Sequence, residues 1–533
     1  PFPEEWPFTV KDLQYLFEPR AEETDAPVTL QVIQGELPPG LRGTYYLNGP
    51  GINHFTDSDG RRRTKHPFDG HGFIRKFSFT GSPDMVTYEG KFVKTEIYKK
   101  EVPKEKILFR GIGSNVHPYS SLGAFRNILA PVGIGGVANT SVFGFSGKLF
   151  AGYEGGPPHV MDPTTLETYG VDTFEGTISK TMPFLAHTRT DARLNRLVGC
   201  GSMVMSSSGG SVFTFYEYDE DFRLVHKARF VADGVYFTHD FLITENFYVL
   251  PMNPSTFSVT GVVKAALGFG PIMGVLAHDN AKTMKVALIP RNNSVKEHVV
   301  DIGKSMFSVH HALAYEEQDR KVVVVTSAFD EYANGNEFGF APDSNVYTIR
   351  DKSRLHGAQS LYKFTLDLEA GNVSKTKVLM AYTPVDFLSI NPLMEGGGRG
   401  QPQNLFASSC SYTRGAMAAF DSIVKVNLTN GVVGNWQCGK HRFVGEPVFA
   451  PDASVGKSEA FQEDEGWVIV PVYDGMAKKN FLMVFDAENI SPGPVATIEI
   501  LAQLPYGFHG SWLAPSEHQD ARNRTRVQVS SKL

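Results

Sequence analysis

The sequence predicts an all-β fold, and three observations carry that prediction. Short apolar or alternating runs recur from one end to the other, at residues 43–47, 72–79, 141–153, 211–218, 247–251, 321–327, 360–365, 422–427, 467–473 and 481–485. They are rich in Val, Ile, Phe and Tyr and end at Gly, Asn, Asp or Pro, which is strand behaviour. Long helical periodicity is scarce. The strands are too numerous for one sandwich in a chain of 533 residues, and radial repetition in a β-propeller accommodates them. No clean repeat of the WD type is visible, so the expected propeller is irregular.

Two segments interrupt the strands. Residues 105–137 hold Ile107, Leu108, Phe109, Ile112, Leu122, Phe125, Ile128, Leu129 and Val132 with few charges, and residues 256–276 hold Val259, Val262, Val263, Leu267, Phe269 and Ile272 with Lys264 as their only charge. Both read as short apolar helices or loops inserted over the top face. They either cap the core or form a dome and tunnel mouth that touches a membrane surface. No linker divides the chain, so residues 1–533 are expected to form a single domain. No run of 18 uninterrupted apolar residues is present.

Composition narrows the partners. Net charge is −6 with the signs interspersed, which offers no basic face to nucleic acid. Cys200, Cys410 and Cys438 form no CxxC pair and no disulfide framework, which favours a reducing compartment. Thirty-nine Phe against four Trp supply many flat apolar walls, for a core or for a cavity. There is no GxSxG or comparable nucleophile motif.

The chemistry is expected from histidine. A single His is more often a surface or hydrogen-bonded residue than a ligand. Four of them share one setting, each with a large apolar residue within three positions before it: His187 in FLAHTRTD, His239 in VYFTHDF, His310 in MFSVHHAL and His509 in LPYGFHGSW. They lie 52, 71 and 199 residues apart along the chain, too far for a local metal motif. Such spacing suits ligands drawn from different blades to one axis.

Six blocks in order resemble the carotenoid cleavage oxygenase family. They are LPPGLRGTYYLNGPG (37–51), HPFDGHGFIRKFSF (66–79, with His71 where an Asp is common), ANTSVFGFSGKLFAGYEGG (138–156), THDFLITENF (238–247), GEPVFAP (445–451) and LPYGFHGSW (504–512). The resemblance implies a seven-bladed propeller with Fe(2+) on its axis, held by His187, His239, His310 and His509. Counting back from Glu316 selects His310 over its neighbour His311. Neutral imidazoles suit a ferrous ion and leave room for O2. The family also orients its ligands with glutamates. Glu154 and Glu446 match two of these. Gly400 stands at the place assigned to the third, and Glu395 is the expected substitute. Thr140 matches a threonine whose methyl crowds one open iron position.

By resemblance the reaction is dioxygenase cleavage of one C=C bond of a carotenoid or apocarotenoid, giving two carbonyl products. Phe237, Phe307 and Phe508, close to ligands in sequence, are the candidate walls of a tunnel for the long apolar polyene. Three other readings stay open: a stilbene-cleaving member, a retinoid-isomerase-like member and a propeller used only as a scaffold. Residues 129–140 lack the Lys expected of a stilbene enzyme. The chain begins at Pro1 without an initiator Met. The expected state is a soluble or peripheral membrane protein, with a plastid suggested by the resemblance and the cytoplasm as its alternative.

Overall fold

The structure is a computed structural model that describes residues 8–515 except 18–19, 57–59, 61, 118–120, 134–135, 206–208, 331–358, 381–382, 411–419 and 454–460. Ile134 of the first apolar segment therefore lies outside the described residues.

Strands dominate, as the alternating runs require, and they assemble as antiparallel four-stranded units. One unit runs Ser141–Phe145, Lys148–Tyr153, Gly156–Met161 and Thr168–Val171, and the next runs Arg189–Asp191, Arg196–Met205, Gly210–Tyr218 and Leu224–Ala232. A further separate unit runs Val385–Ser389, Asn404–Ser409, Ser422–Asn427 and Gly431–Gln437. A ten-stranded sheet joins two such units through one parallel bridge, Asp301 to Asn372. An eleven-stranded sheet joins the two ends of the chain, because Val28–Gly35 pairs with both Met85–Phe92 and Ala496–Ile500. Interleaving early and late strands in one sheet closes the ring and leaves no free seam between the termini.

The position of a strand within its unit sets its burial. Phe307–Glu317 is buried over its first nine residues, whereas Leu224–Ala232, the last strand of its unit, alternates and is largely exposed. A strand covered on both faces reads as a continuous apolar run, and one at the rim reads as alternation. The inner edges meet: Ser141–Phe145 touches Gly510–Leu513, and Phe307–Glu317 touches Val385–Ser389. Each candidate ligand lies on, or one or two residues from, such an inner edge.

The two apolar insertions are helical in part, at Ser121–Leu129 and Val259–Ala266. They are stitched together by polar bonds. Asn127 Nδ2 donates to the Gly268 carbonyl at 3.0 Å, and Arg110 Nη2 donates to the Ala265 carbonyl at 2.9 Å. Their apolar side chains nevertheless face outward. Leu122, Phe125 and Leu129 are 62%, 61% and 70% exposed, and Val259 is 77% exposed. Of the two readings, a cap on the core does not describe those four residues, since the described chain leaves most of their surface uncovered.

Candidate metal centre

The loop that carries His509 is fixed from both sides. Gly510–Leu513 pairs with Arg42–Leu47, so the LPYGFHGSW block is held against the NGPG turn. Asn48 N–H donates to the His509 carbonyl at 3.0 Å, and Phe508 N–H donates to the Asn48 carbonyl at 2.8 Å. Asn48 Nδ2 also donates to the carbonyls of Ala138 and Ser141 at 2.9 and 2.8 Å. Only glycine fits at 510, where a Cβ would sit 2.6 Å from the Tyr46 carbonyl oxygen. Thr140, from the ANTS block, accepts the His509 N–H at its carbonyl, 3.2 Å away. The expected threonine is therefore a direct neighbour of the fourth histidine.

The four histidines converge. One nitrogen of each of His187, His239, His310 and His509 lies within 4.8 Å of the others. Ring centroids of His187 and His509 are 4.4 Å apart, and those of His239 and His310 are 5.0 Å apart, all roughly edge to face. His187 Nε2 and His239 Nε2 stand 3.1 Å apart. The Nε2 of His310 is buried and has no hydrogen-bond partner. An orphaned ring nitrogen aimed at three others is costly unless something takes its lone pair, and a cation does so.

Carboxylates fix the outer nitrogens. Glu446 Oε1 is 2.8 Å from His509 Nδ1, and Glu154 Oε1 is 3.2 Å from His239 Nδ1. His310 Nδ1 meets Asp386 Oδ1 at 2.8 Å. A carboxylate that accepts from Nδ1 turns the Nε2 lone pair toward the centre and raises its basicity. Glu395, the expected partner of His310, lies elsewhere. Its Oε2 is 3.6 Å from Arg189 Nη1. Asp386, in VDFLSINP, takes the place because that stretch is the strand running beside His310. Asp386 carries no mark in the sequence, since an Asp stands there in place of the glutamate that the resemblance implies.

Burial favours the neutral form of two of the imidazoles. His187 is held well below the ordinary histidine range, by burial first and then by the three neighbouring rings. His310 is lowered by burial, with Asp386 opposing. His239 is also penalised by burial, but Glu154 outweighs that and leaves it raised. Neutral imidazoles with outward N–H groups are metal-ready donors.

Beyond the ligands lies a network that sequence reasoning missed. Arg189, two residues after His187, donates through Nη2 to both oxygens of Asp240 at 2.8 and 2.6 Å. Its Nε donates to the Phe241 carbonyl at 2.7 Å, and Nη2 to the His311 carbonyl at 3.1 Å. Asp240 also accepts the His311 N–H at 3.0 Å. One guanidinium thus ties the segments that carry His187, His239 and His310. The signal was present as a charged residue just after each of two ligands, in HTR and HD.

A cavity of about 210 Å³ opens at the cage, lined by His187, His310 and His509, by the polar Thr188, Arg189, Asp240 and His311, and by the apolar Phe143, Phe387 and Leu388. Aromatic residues shortly precede His239, His310 and His509. Phe237 stacks on Phe307 at 5.6 Å and 14°, and Phe508 meets Phe68 edge to face at 5.5 Å. Phe237, Phe307 and Phe508 do not line this cavity.

Comparison with known proteins agrees with this geometry. The retinal pigment epithelial membrane protein family matches residues 17–514. The chain is 28% identical to the apocarotenoid-15,15'-oxygenase of Synechocystis, over 96% of this chain and 94% of that one. It is 29% identical to the chloroplastic carotenoid cleavage dioxygenase 7 of Arabidopsis thaliana, over 94% and 90%. It is 25% identical to the lignostilbene-alpha,beta-dioxygenase isozyme III of Sphingomonas paucimobilis, over 91% and 94%. Cobalt-substituted Synechocystis apocarotenoid oxygenase superimposes with a TM-score of 0.82 at 25% identity, covering 96% of this chain and all of that one. The fold is therefore the β-propeller of that oxygenase, and the chain belongs to the retinal pigment epithelial membrane protein family, which includes the carotenoid cleavage oxygenases.

Proposed function

We propose that this protein is a non-haem Fe(2+) dioxygenase that cleaves a C=C double bond of a carotenoid or apocarotenoid, with His187, His239, His310 and His509 as its metal ligands. The carrying observation is the cage itself, in which three of the four histidines turn their outer nitrogens to carboxylates. Four neutral donors leave the full charge on the ion, which favours the ferrous over the ferric state. When bound, that ion supplies the site at which O2 is activated for addition across the double bond.

The chain's own residues hold, orient and exclude. Glu154, Asp386 and Glu446 fix the tautomers of their imidazoles. Thr140, whose carbonyl accepts the His509 N–H, is taken as the residue that would narrow the space beside a bound ion. Phe237, Phe307 and Phe508 are taken as apolar walls that seat one double bond of many, since positioning is the main demand of the reaction. We take the four-stranded units as seven blades of one domain. The outward apolar faces of Ser121–Leu129 and Val259–Ala266 form the tunnel mouth and a peripheral membrane contact, because a lipid-soluble substrate must enter from a lipid phase. No helix among the described residues is long and apolar enough to cross a membrane. The chloroplastic relative supports a plastid location.

The lignostilbene relative keeps a phenolic stilbene as the second substrate class. Residues 129–140 contain no Lys to hold a phenol, which favours the polyene. Iron-loaded protein incubated with carotenoids, apocarotenals and stilbenes under ¹⁸O2 separates these readings. Two carbonyl fragments of a polyene, each carrying label, are expected. Cleavage of stilbenes alone would overturn the substrate, and iron-loaded protein inert toward all three classes would overturn the activity.

A further inference from the structure

The strand that supplies Asp386 is bent in an unusual way. Asp386 pairs with Ser408 and Ser389 with Phe406, so Phe387 and Leu388 together stand opposite Ala407 alone. This is a β-bulge, and bulges re-aim side chains next to functional sites. Phe387 holds it with φ 52°, in the left-handed region that glycine occupies freely and L side chains rarely adopt. A bulky aromatic residue there stores strain, and such strain persists only where the surroundings impose it.

Two features show what imposes it. The first is reach. Asp386 is one methylene shorter than glutamate, yet it closes to 2.8 Å on His310 Nδ1 while also accepting from the Phe387 N–H and the Gln359 side chain. The bulge carries the backbone toward the histidine and turns the Phe387 N–H onto the same carboxylate. The second is the ring. Glycine would satisfy φ without strain but would leave nothing against the cage. The Phe387 ring stacks on His310 at 6.0 Å and 25° and meets His509 edge-on at 5.4 Å and 72°. Phe420 and Tyr506 back it from the core at 5.7 and 6.4 Å.

We propose that Phe387 is a positioning residue for the metal centre: its left-handed bulge delivers the short carboxylate of Asp386 to His310, and its ring sets the planes of His310 and His509. This rests on the four-histidine reading of the site. A core residue that merely fills space would affect folding and leave the ligand field alone, and that difference is measurable.

The test uses metal-free full-length protein titrated with Co(2+), read by the ligand-field absorption band and by the dissociation constant, with the thermal midpoint of the metal-free chain measured in parallel. Wild type is expected to bind one equivalent with a defined band, and His310→Ala is expected to lose it. Phe387→Gly is expected to keep the metal-free midpoint within a few degrees, since relief of strain offsets lost packing. It is also expected to weaken Co(2+) binding by about tenfold to a hundredfold and to shift the band. Asp386→Glu is expected to shift the band too, because the bulge is set for the shorter arm. Should Phe387→Gly fail to fold, Phe387→Leu keeps most of the apolar volume without the flat face and is expected to show the same shift. Wild-type affinity and an unshifted band in whichever Phe387 variant folds would overturn the inference while leaving the metal centre intact. No Co(2+) binding by wild type would overturn the centre itself.

Discussion

Arg189 grips both carboxylate oxygens of Asp240, the residue after His239, at 2.6 and 2.8 Å. Both side chains are nearly buried, at 13% and 2% exposure. The same guanidinium reaches Glu395, whose carboxyl is pushed up by burial and held back by that charge. Removing one partner of a buried pair strands the other charge and costs about 3–5 kcal/mol. Arg189→Met is therefore expected to lose stability of that order in urea unfolding and to bind metal more weakly. A loss below about 1 kcal/mol, the scale of an exposed pair, would show that water already screens Asp240.

Metal and fold are linked. An ion that binds only the folded cage stabilises it by about 2.7 kcal/mol at a hundredfold excess over its dissociation constant. Fe(2+) is expected to raise the thermal midpoint of wild type, and a chelator to reverse the rise. His239→Ala is expected to show neither change. Equal stabilisation of wild type and His239→Ala would place the ion elsewhere.

Acid lability has an identifiable source. Burial pushes His71, His159 and His311 down to about 4. Above the ordinary histidine range both folded and unfolded chains carry these rings neutral. As pH falls from about 6.5 toward 4, the unfolded chain takes up protons that the folded chain refuses, so stability is lost across that window. Glu101, beside His71 at 3.0 Å, behaves differently. Burial opposes its charge, but His71 and Lys65 prevail and bring it down to about 2. Its contribution is lost only as pH falls from about 4.5 toward 2. His71→Gln is expected to flatten the fall in urea midpoint between pH 6.5 and 4.5 by its own share. An unchanged slope would mean that His71 is not neutral in the folded protein.

The exposed apolar face makes a prediction about membranes. Burying a large aliphatic or aromatic side chain contributes about 1.5–3 kcal/mol. Removing two of them, as in Leu129→Ser with Val259→Ser, is expected to weaken co-sedimentation with phosphatidylcholine vesicles by roughly tenfold or more. KM for a vesicle-borne polyene is expected to rise, with kcat little changed. Equal sedimentation of variant and wild type would remove the membrane contact.

Much of the molecule was legible in the chain. Strand runs such as 211–218 and 481–485 coincide with described strands because a strand covered on both faces leaves a short, nearly continuous apolar run. The four histidines were legible as similar settings and as family blocks. Asp386 was not, because a carboxylate one methylene short and in another sequence context carries no mark of its partner 76 residues away. Arg189 and Phe387 were equally silent, since a buried ion pair and a left-handed backbone are properties of neighbours and dihedrals.

The sequence by itself determined an all-β chain and two apolar insertions, because both are written in local composition, and its family blocks pointed to four histidines and to Glu154 and Glu446. Tertiary structure alone decided which carboxylate serves His310, which charge binds the ligand segments together and which way the insertions face. Those choices depend on which inner edges meet at the hub, and ring closure brings together residues that nothing in the linear order relates.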